Sequence, residues 1–288
     1  MNRVIKYLSL KLLLLLLLTN YASKAQEGVE FGGFLGVSHY FGDLNTDFSI
    51  NDPGLAGGLI GRYNFNERIA VKLVGSVGSV SADDADSNNT FERRRNLNFQ
   101  SRILDASAQL EFNFLPYVHG SKTEFFTPYL FAGLSVTHFN PQTRVCDSNP
   151  TTPVSQCNGN TSLVDLRPLG TEGQFQGEEY FTVAGGLAFG AGFKLSLNYE
   201  WSINIELSGR RLFTDFVDDV SGVYPDLDDL QNLRGDLAVA LSDRSNPAIG
   251  ARGSQRGNSK TKDSIGFLTV GVLYYFGDLR CPKPSPGR

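Results

Sequence analysis

From Trp201 to Arg210 the chain alternates without a slip. Trp201, Ile203, Ile205 and Leu207 are apolar, while Ser202, Asn204, Glu206, Ser208 and Arg210 are polar or charged. Successive side chains on a strand point to opposite faces, so this segment has one apolar face and one wet face. The pattern predicts eight strands: Glu30–Tyr40, Gly54–Phe65, Ile69–Val80, Arg102–Phe114, Tyr129–Phe139, Tyr180–Phe193, Trp201–Phe213 and Ile265–Phe276. Each is long enough for a tilted bilayer crossing, which takes about 9–11 residues. In the fourth, Leu104, Ala106, Ala108, Leu110, Phe112 and Phe114 oppose Asp105, Ser107, Gln109, Glu111 and Asn113. In the second, Leu55, Leu59, Tyr63 and Phe65 oppose Arg62 and Asn64; in the third, Ile69, Val71, Leu73 and Val77 oppose Lys72 and Ser76. The first and last strands are apolar or glycine on both faces, as a strand buried in a soluble sandwich would be.

Connection lengths choose between the two architectures. Asn66–Arg68, Leu115–Thr127 and Lys194–Glu200 are shorter links; Phe41–Pro53, Ser81–Ser101, Asn140–Glu179 and Thr214–Ser264 are longer ones. The longer ones follow strands one, three, five and seven in strict alternation. Short periplasmic turns alternating with long outer loops mark an outer-membrane barrel. The expected fold is therefore all-β: an eight-stranded antiparallel transmembrane β-barrel, an up-and-down meander with long extracellular loops, in contact with outer-membrane lipid. Both termini then fall in the periplasm. Aromatic residues near the strand ends, among them Tyr40, Tyr63, Phe112, Phe126, Trp201 and Tyr274, suit girdles at the two interfaces.

The N-terminus agrees with export. Arg3, Lys6 and Lys11 precede the run Leu12–Leu18 and then Ser23-Lys24-Ala25, the layout of a signal peptide cleaved after Ala25. The expected organisation is residues 1–25 as leader, 26–276 as barrel and 277–288 as periplasmic tail. Losing the leader removes four basic residues and no acidic one, so the formal charge of -4 becomes -8. Scattered cations on an acidic chain exclude a nucleic-acid partner. The 21 Phe and 11 Tyr against one Met and one Trp favour strands over helices.

Chemistry-bearing residues are few, and no cofactor is expected. Arg62, Lys72, Arg102, Asp105, Glu111, Lys194, Glu206 and Arg210 are read as a charged ladder in the lumen. An eight-stranded barrel is just wide enough for side chains to fill it, so this ladder reads as a packed polar core. His39 and His138 stand near the outer ends of upward strands, where a lipid-modifying enzyme would keep its base. Neither has a Ser or Cys at a motif spacing. The run Asp84-Ala-Asp86-Ser-Asn88 lacks the central Gly and final Glu of a calcium loop and reads as part of a solvated tip, Asp83–Asn89. Gly190 and Gly192 lie inside a strand and would make room for bulky lumen neighbours. Leu227, Leu230, Leu233, Leu237 and Leu241 follow helical spacing, interrupted by Gly235, and predict a surface helix in the last long loop. Cys146 and Cys157 share one polar loop in an oxidising compartment, which reads as a loop disulfide, the alternative being two free thiols. Cys281 is left over as a candidate intermolecular thiol or a lone one.

Two segments look alike: Tyr40-Phe-Gly42-Asp43-Leu44 after strand one, and Tyr275-Phe276-Gly277-Asp-Leu-Arg-Cys281-Pro282 after strand eight. With the leader and eight strands, this arrangement resembles the PorG-type outer-membrane barrel family of the Bacteroidetes type IX secretion system. The resemblance implies a non-enzymatic part of a protein-export or gliding apparatus that anchors a periplasmic ring complex to the outer membrane. Its implied partners are a periplasmic ring lipoprotein, other secretion-system subunits and, during biogenesis, the barrel-insertion machinery. Cys281 would lie on the side where the ring lipoprotein sits and could cross-link to it. The alternative is a generic small outer-membrane barrel serving envelope stability, or adhesion through its outer loops.

Overall fold

A strand with an apolar outer face leaves backbone donors and acceptors open along both edges, and only a closed ring satisfies them all in hydrocarbon. The protein, seen in a computed structural model, is described over residues 28–47, 49–50, 52–149, 152 and 157–277. The strands in chain order are β1 (Gly28–Phe41), β2 (Gly54–Asn64), β3 (Ile69–Asp83), β4 (Asn98–Asn113), β5 (Phe126–Cys146), β6 (Thr161–Asp165), β7 (Val183–Ser196), β8 (Trp201–Leu212) and β9 (Ser264–Phe276). Eight of them close an antiparallel ring in the order β1-β2-β3-β4-β5-β7-β8-β9. The closing seam joins β1 to β9 from Val29 opposite Phe276 to Phe41 opposite Ser264. Gly28 and Phe276 therefore stand at one rim, with the shorter connections; the longer loops gather at the other. The expected leader, residues 1–25, and the tail beyond Gly277, with Cys281 and Pro282, lie outside the described residues.

The outer face is the apolar one. Leu55 is 80% exposed, Leu35 76%, Leu134 66% and Leu207 63%. A continuous belt of this kind is an aggregation site in water and a good surface against lipid. Inward positions hold the polar residues, so the fold has its wet face inside.

Several expectations are corrected. Strand five does not stop at Phe139: it runs on to Cys146 and pairs with β6, a ninth strand outside the ring. Cys146 and Cys157 are disulfide-bonded beside this hairpin. The expected sixth strand, β7 in the structure, starts at Val183, not Tyr180, because the Tyr180 ring turns inward to stack on Phe216. The expected single helix is two, α2 (Leu227–Arg234) and α3 (Asp236–Ser242), split at Gly235, whose φ of 84° no other residue adopts cheaply. Before them a short α1 (Thr90–Arg95) starts on an Asn89 cap. The tip Asp83–Asn89 is not wholly solvated: Asp84 is buried, because Arg95 clamps both its oxygens at 2.8 and 2.7 Å.

Candidate functional site

The lumen is filled from one rim to the other. Near the short-turn rim, Arg62 contacts Glu30 and Glu111, each at 2.8 Å. Glu111 also holds Lys72 at 3.1 Å and Lys194 at 2.6 Å. Lys72 pairs in turn with Glu206, which accepts from Tyr129 Oη at 2.8 Å. Glu30 accepts from Asn64 Nδ2 at 2.6 Å. Three carboxylates thus face three cations, all side chains buried, with Glu111 as the hub. Lys194 Nζ further sits over the Tyr129 ring at 4.6 Å and Lys72 Nζ over Phe131 at 4.1 Å. Those two rings occupy the space that a Cβ on Gly192 or Gly190 would need.

The chain places this network by parity alone. Lys72 on β3 is opposite Arg62 on β2, and Lys194 on β7 is opposite Asn204 on β8. Of the expected ladder, Arg62, Lys72, Glu111, Lys194 and Glu206 form the hub, while Asp105 and Arg210 make a separate pair at 3.0 Å nearer the long-loop rim. Arg102 is a correction. It shares the face of Leu104 and is exposed on the outside, because residues two apart on a strand point the same way. Glu30 escaped the sequence reading, since Gly32, Gly33 and Gly36 blur the alternation of β1; its neighbours Val29 and Phe31 were the remaining signal.

Both ends of the lumen are closed. At the short-turn rim, His119 stacks on Tyr275 at 4.3 Å and lies 3.3 Å from Glu30, with Tyr117 and Tyr199 against the same pair. Midway, a void of about 10 Å³ lies among Phe34, Ile60, Val74, Arg210 and Phe267, room for one water at most. At the other rim the long loops fold inward over an apolar layer of Tyr40, Phe99, Ile103, Phe139, Leu212 and Leu241. Arg95 donates to the backbone oxygens of Asp43 and Arg256, and Arg256 donates to Asp219 O at 2.7 Å and pairs with Glu172 at 3.1 Å. All four long loops are sewn together by these two guanidinium groups.

The segment Tyr40–Leu44 is part of that cap. Tyr40 Oη lies 2.6 Å from Asp218 Oδ2 and 2.7 Å from Asp263 Oδ1, and accepts from the Asp43 backbone N–H. Asp43 accepts from Asn258 N–H, Leu44 is buried, and a Cβ on Gly42 would collide with the Tyr40 hydroxyl. Burial raises the Asp263 carboxyl to about 8, with Asp215 and Asp43 adding to the shift against the hydrogen bonds it accepts. Burial likewise raises Asp219 to about 6, against the pull of Arg256, and raises Asp218 well above its ordinary value.

His39 and His138 are not brought together. They stand on the outer faces of β1 and β5, four steps apart around the ring. Among the described residues no group of His, Cys, Asp and Glu is arranged to hold a metal.

These features define an eight-stranded barrel with an apolar exterior, a charge-paired core and two closed mouths. The model of a family described as a domain of unknown function (DUF6089) matches residues 7–157, and the chain belongs to that family. No curated protein matches it. Among solved structures it is similar to Ail, the attachment invasion locus protein of Yersinia pestis. The two are 10% identical, with 88% of this chain and 99% of that one covered and a TM-score of 0.37. Neisserial surface protein A is also 10% identical, over 86% and 97%, at a TM-score of 0.40. The outer membrane protein OprG of Pseudomonas aeruginosa is 15% identical, over 88% and 97%, also at 0.40. The likeness is to small outer-membrane barrels as an architecture.

Proposed function

We propose that this protein is a non-enzymatic outer-membrane barrel that works through its rims, as an anchor for a periplasmic protein-export assembly of the type IX kind. The observation behind this reading is the lumen. A core in which Glu111 is gripped by Arg62, Lys72 and Lys194 offers neither a path for solute nor a free reactive group, so function is left to the surfaces at the two ends. Both Tyr40–Leu44 and Tyr275–Pro282 carry the likeness to the PorG-type family, and the second of them leaves the short-turn rim, the periplasmic side in this reading. There the tail carrying Cys281 would meet a ring lipoprotein. A deletion strain is expected to retain export substrates in the periplasm. In a cross-linking pull-down run without reductant, Cys281→Ser should lose a periplasmic adduct that the parent forms. Normal secretion in the deletion strain, with loss of surface binding instead, would overturn the anchor reading.

That outcome would favour adhesion through the outer loops. The cap supports this second reading with a groove between α2 and the loop around Gly173, edged by the exposed side chains of Phe175, Val223 and Leu233.

A further inference from the structure

Every lysine and arginine of the lumen hub has a carboxylate partner; the arginines on the outer face do not. Moving along the lipid-facing positions from the short-turn rim, each strand is apolar until its long-loop end. The first ionisable groups met there are basic on four strands, His39 on β1, Arg102 on β4, His138 on β5 and Arg211 on β8, and acidic on one, Asp83 at the end of β3. Among the described residues Arg102, Arg144 and Arg211 enter no ion pair. Unpaired cations ringing one edge of an apolar belt complement the negative charge of lipid headgroups at that depth. An exposed arginine costs little near the interface, whereas at the bilayer centre it is strongly unfavourable.

The densest stretch is on β4 and β5. Arg102 is opposite Asn140, and His138 is opposite Leu104, so Arg102 and His138 are diagonal neighbours on one face, about 7–8 Å apart in such a ladder. Gln142 and the exposed Arg144 continue the same face of β5 beyond the belt. On the other side of Arg102 its partner is Ser79. Two carboxylates face this surface: Asp83, which ends the same face of β3 four residues beyond Ser79, and Asp165 of β6, whose Oδ1 accepts from Asn140 at 3.0 Å and from Gln142 at 2.7 Å. Asp165 holds the two amides in place and competes for the same cations.

We propose that the outer face of β4 and β5 at the long-loop rim binds the phosphate of a lipid headgroup in the adjoining leaflet. Arg102 makes the bidentate contact, His138 and Arg144 flank it, and Asp165 sets the limit on affinity. A guanidinium is suited to phosphate because its planar fork meets two oxygens at once. The site rests on the reading that the barrel spans a bilayer, and the test separates the two ideas.

The full chain is reconstituted in phosphatidylcholine nanodiscs with and without lipid A, and bound lipid A is counted by native mass spectrometry after release into detergent. The parent should retain lipid A over phosphatidylcholine. Arg102→Ala combined with His138→Ala should weaken retention by about tenfold or more, the scale of losing one charge-assisted contact. Arg102→Lys should lie between the two, and Asp165→Asn should bind more tightly than the parent. Arg68→Ala, at the opposite rim, should bind like the parent. Equal loss at Arg68, no change in the double variant, or displacement of lipid A by inorganic phosphate at the same phosphate concentration would each overturn the site while leaving the barrel in its membrane. A parent that folds yet does not insert would overturn the membrane reading along with it.

Discussion

The lumen hub and the outer cap solve the same problem in opposite ways. Both bury several carboxylates where water cannot reach them, and burying an unpaired charge is among the costliest things a fold can do. In the hub, Glu30, Glu111 and Glu206 meet Arg62, Lys72 and Lys194, so charge is cancelled by charge. The cap has a surplus of acid. Asp43, Asp218, Asp219 and Asp263 are buried with Arg95 and Arg256, whose donors go to Asp84, Glu172 and backbone oxygens. Tyr40 Oη stands between Asp218 and Asp263 with a single hydrogen to give. Two carboxyl oxygens at that distance therefore require that one of the acids brings a proton of its own. The hub is held by ion pairs, whereas the cap adds retained protons to the ion pairs of Arg95 and Arg256.

The largest effect should come from breaking the hub. Glu111→Gln leaves three cations around an uncharged amide, and removing one partner of a buried pair costs about 3–5 kcal/mol. The variant should fold poorly, or lose its heat-modifiable band at much lower urea than the parent. A midpoint within error of the parent would mean that the hub charges are hydrated after all. Next comes Tyr40→Phe, which strips two buried carboxyls of their shared donor at a cost of about 1–3 kcal/mol. The damage should stay in the cap: proteolysis of the loop between β8 and β9 speeds up while the barrel itself unfolds at the parental midpoint.

How much of this was legible depends on the range over which the signal acts. Alternation is local, so the ring strands and most of the hub followed from period two and connection length. Arg102 was misplaced because its charge was weighed above its parity with Leu104. β6 was invisible, since Thr161-Ser-Leu-Val-Asp165 is half exposed and outside the ring and so has no apolar face to alternate. The cap was out of reach for a different reason: Tyr40 is 178 residues from Asp218 and 223 from Asp263, and no local pattern links them. Likewise Asp84 read as one more acidic residue in a polar loop until Arg95, brought round by α1, closed on it.

The retained protons give the cap a pH dependence whose sign is fixed. Asp263 is raised to about 8 and Asp219 to about 6, above the value near 3.9 that an aspartate has in an unfolded loop. Between these limits the closed cap holds more protons than the open one, so its stability is full below pH 4 and drains away as pH rises through about 6 to 8. Hydrogen exchange at the Val217 and Val220 amides, which Asp263 and Asp218 accept, should therefore accelerate beyond its intrinsic base catalysis across this window. The excess should reach up to about tenfold per pH unit for each proton released on opening. The smallest and sharpest test is Asp218→Asn. An amide keeps a hydrogen bond to Tyr40 but has no proton to lose, so at pH 5 the cap should differ from the parent by under about 1 kcal/mol. Between pH 6 and 8 its exchange should rise less steeply, by one proton's worth of slope. An unchanged slope would place the titrating proton on another acid and dissolve the distinction between a paired core and a protonated lid.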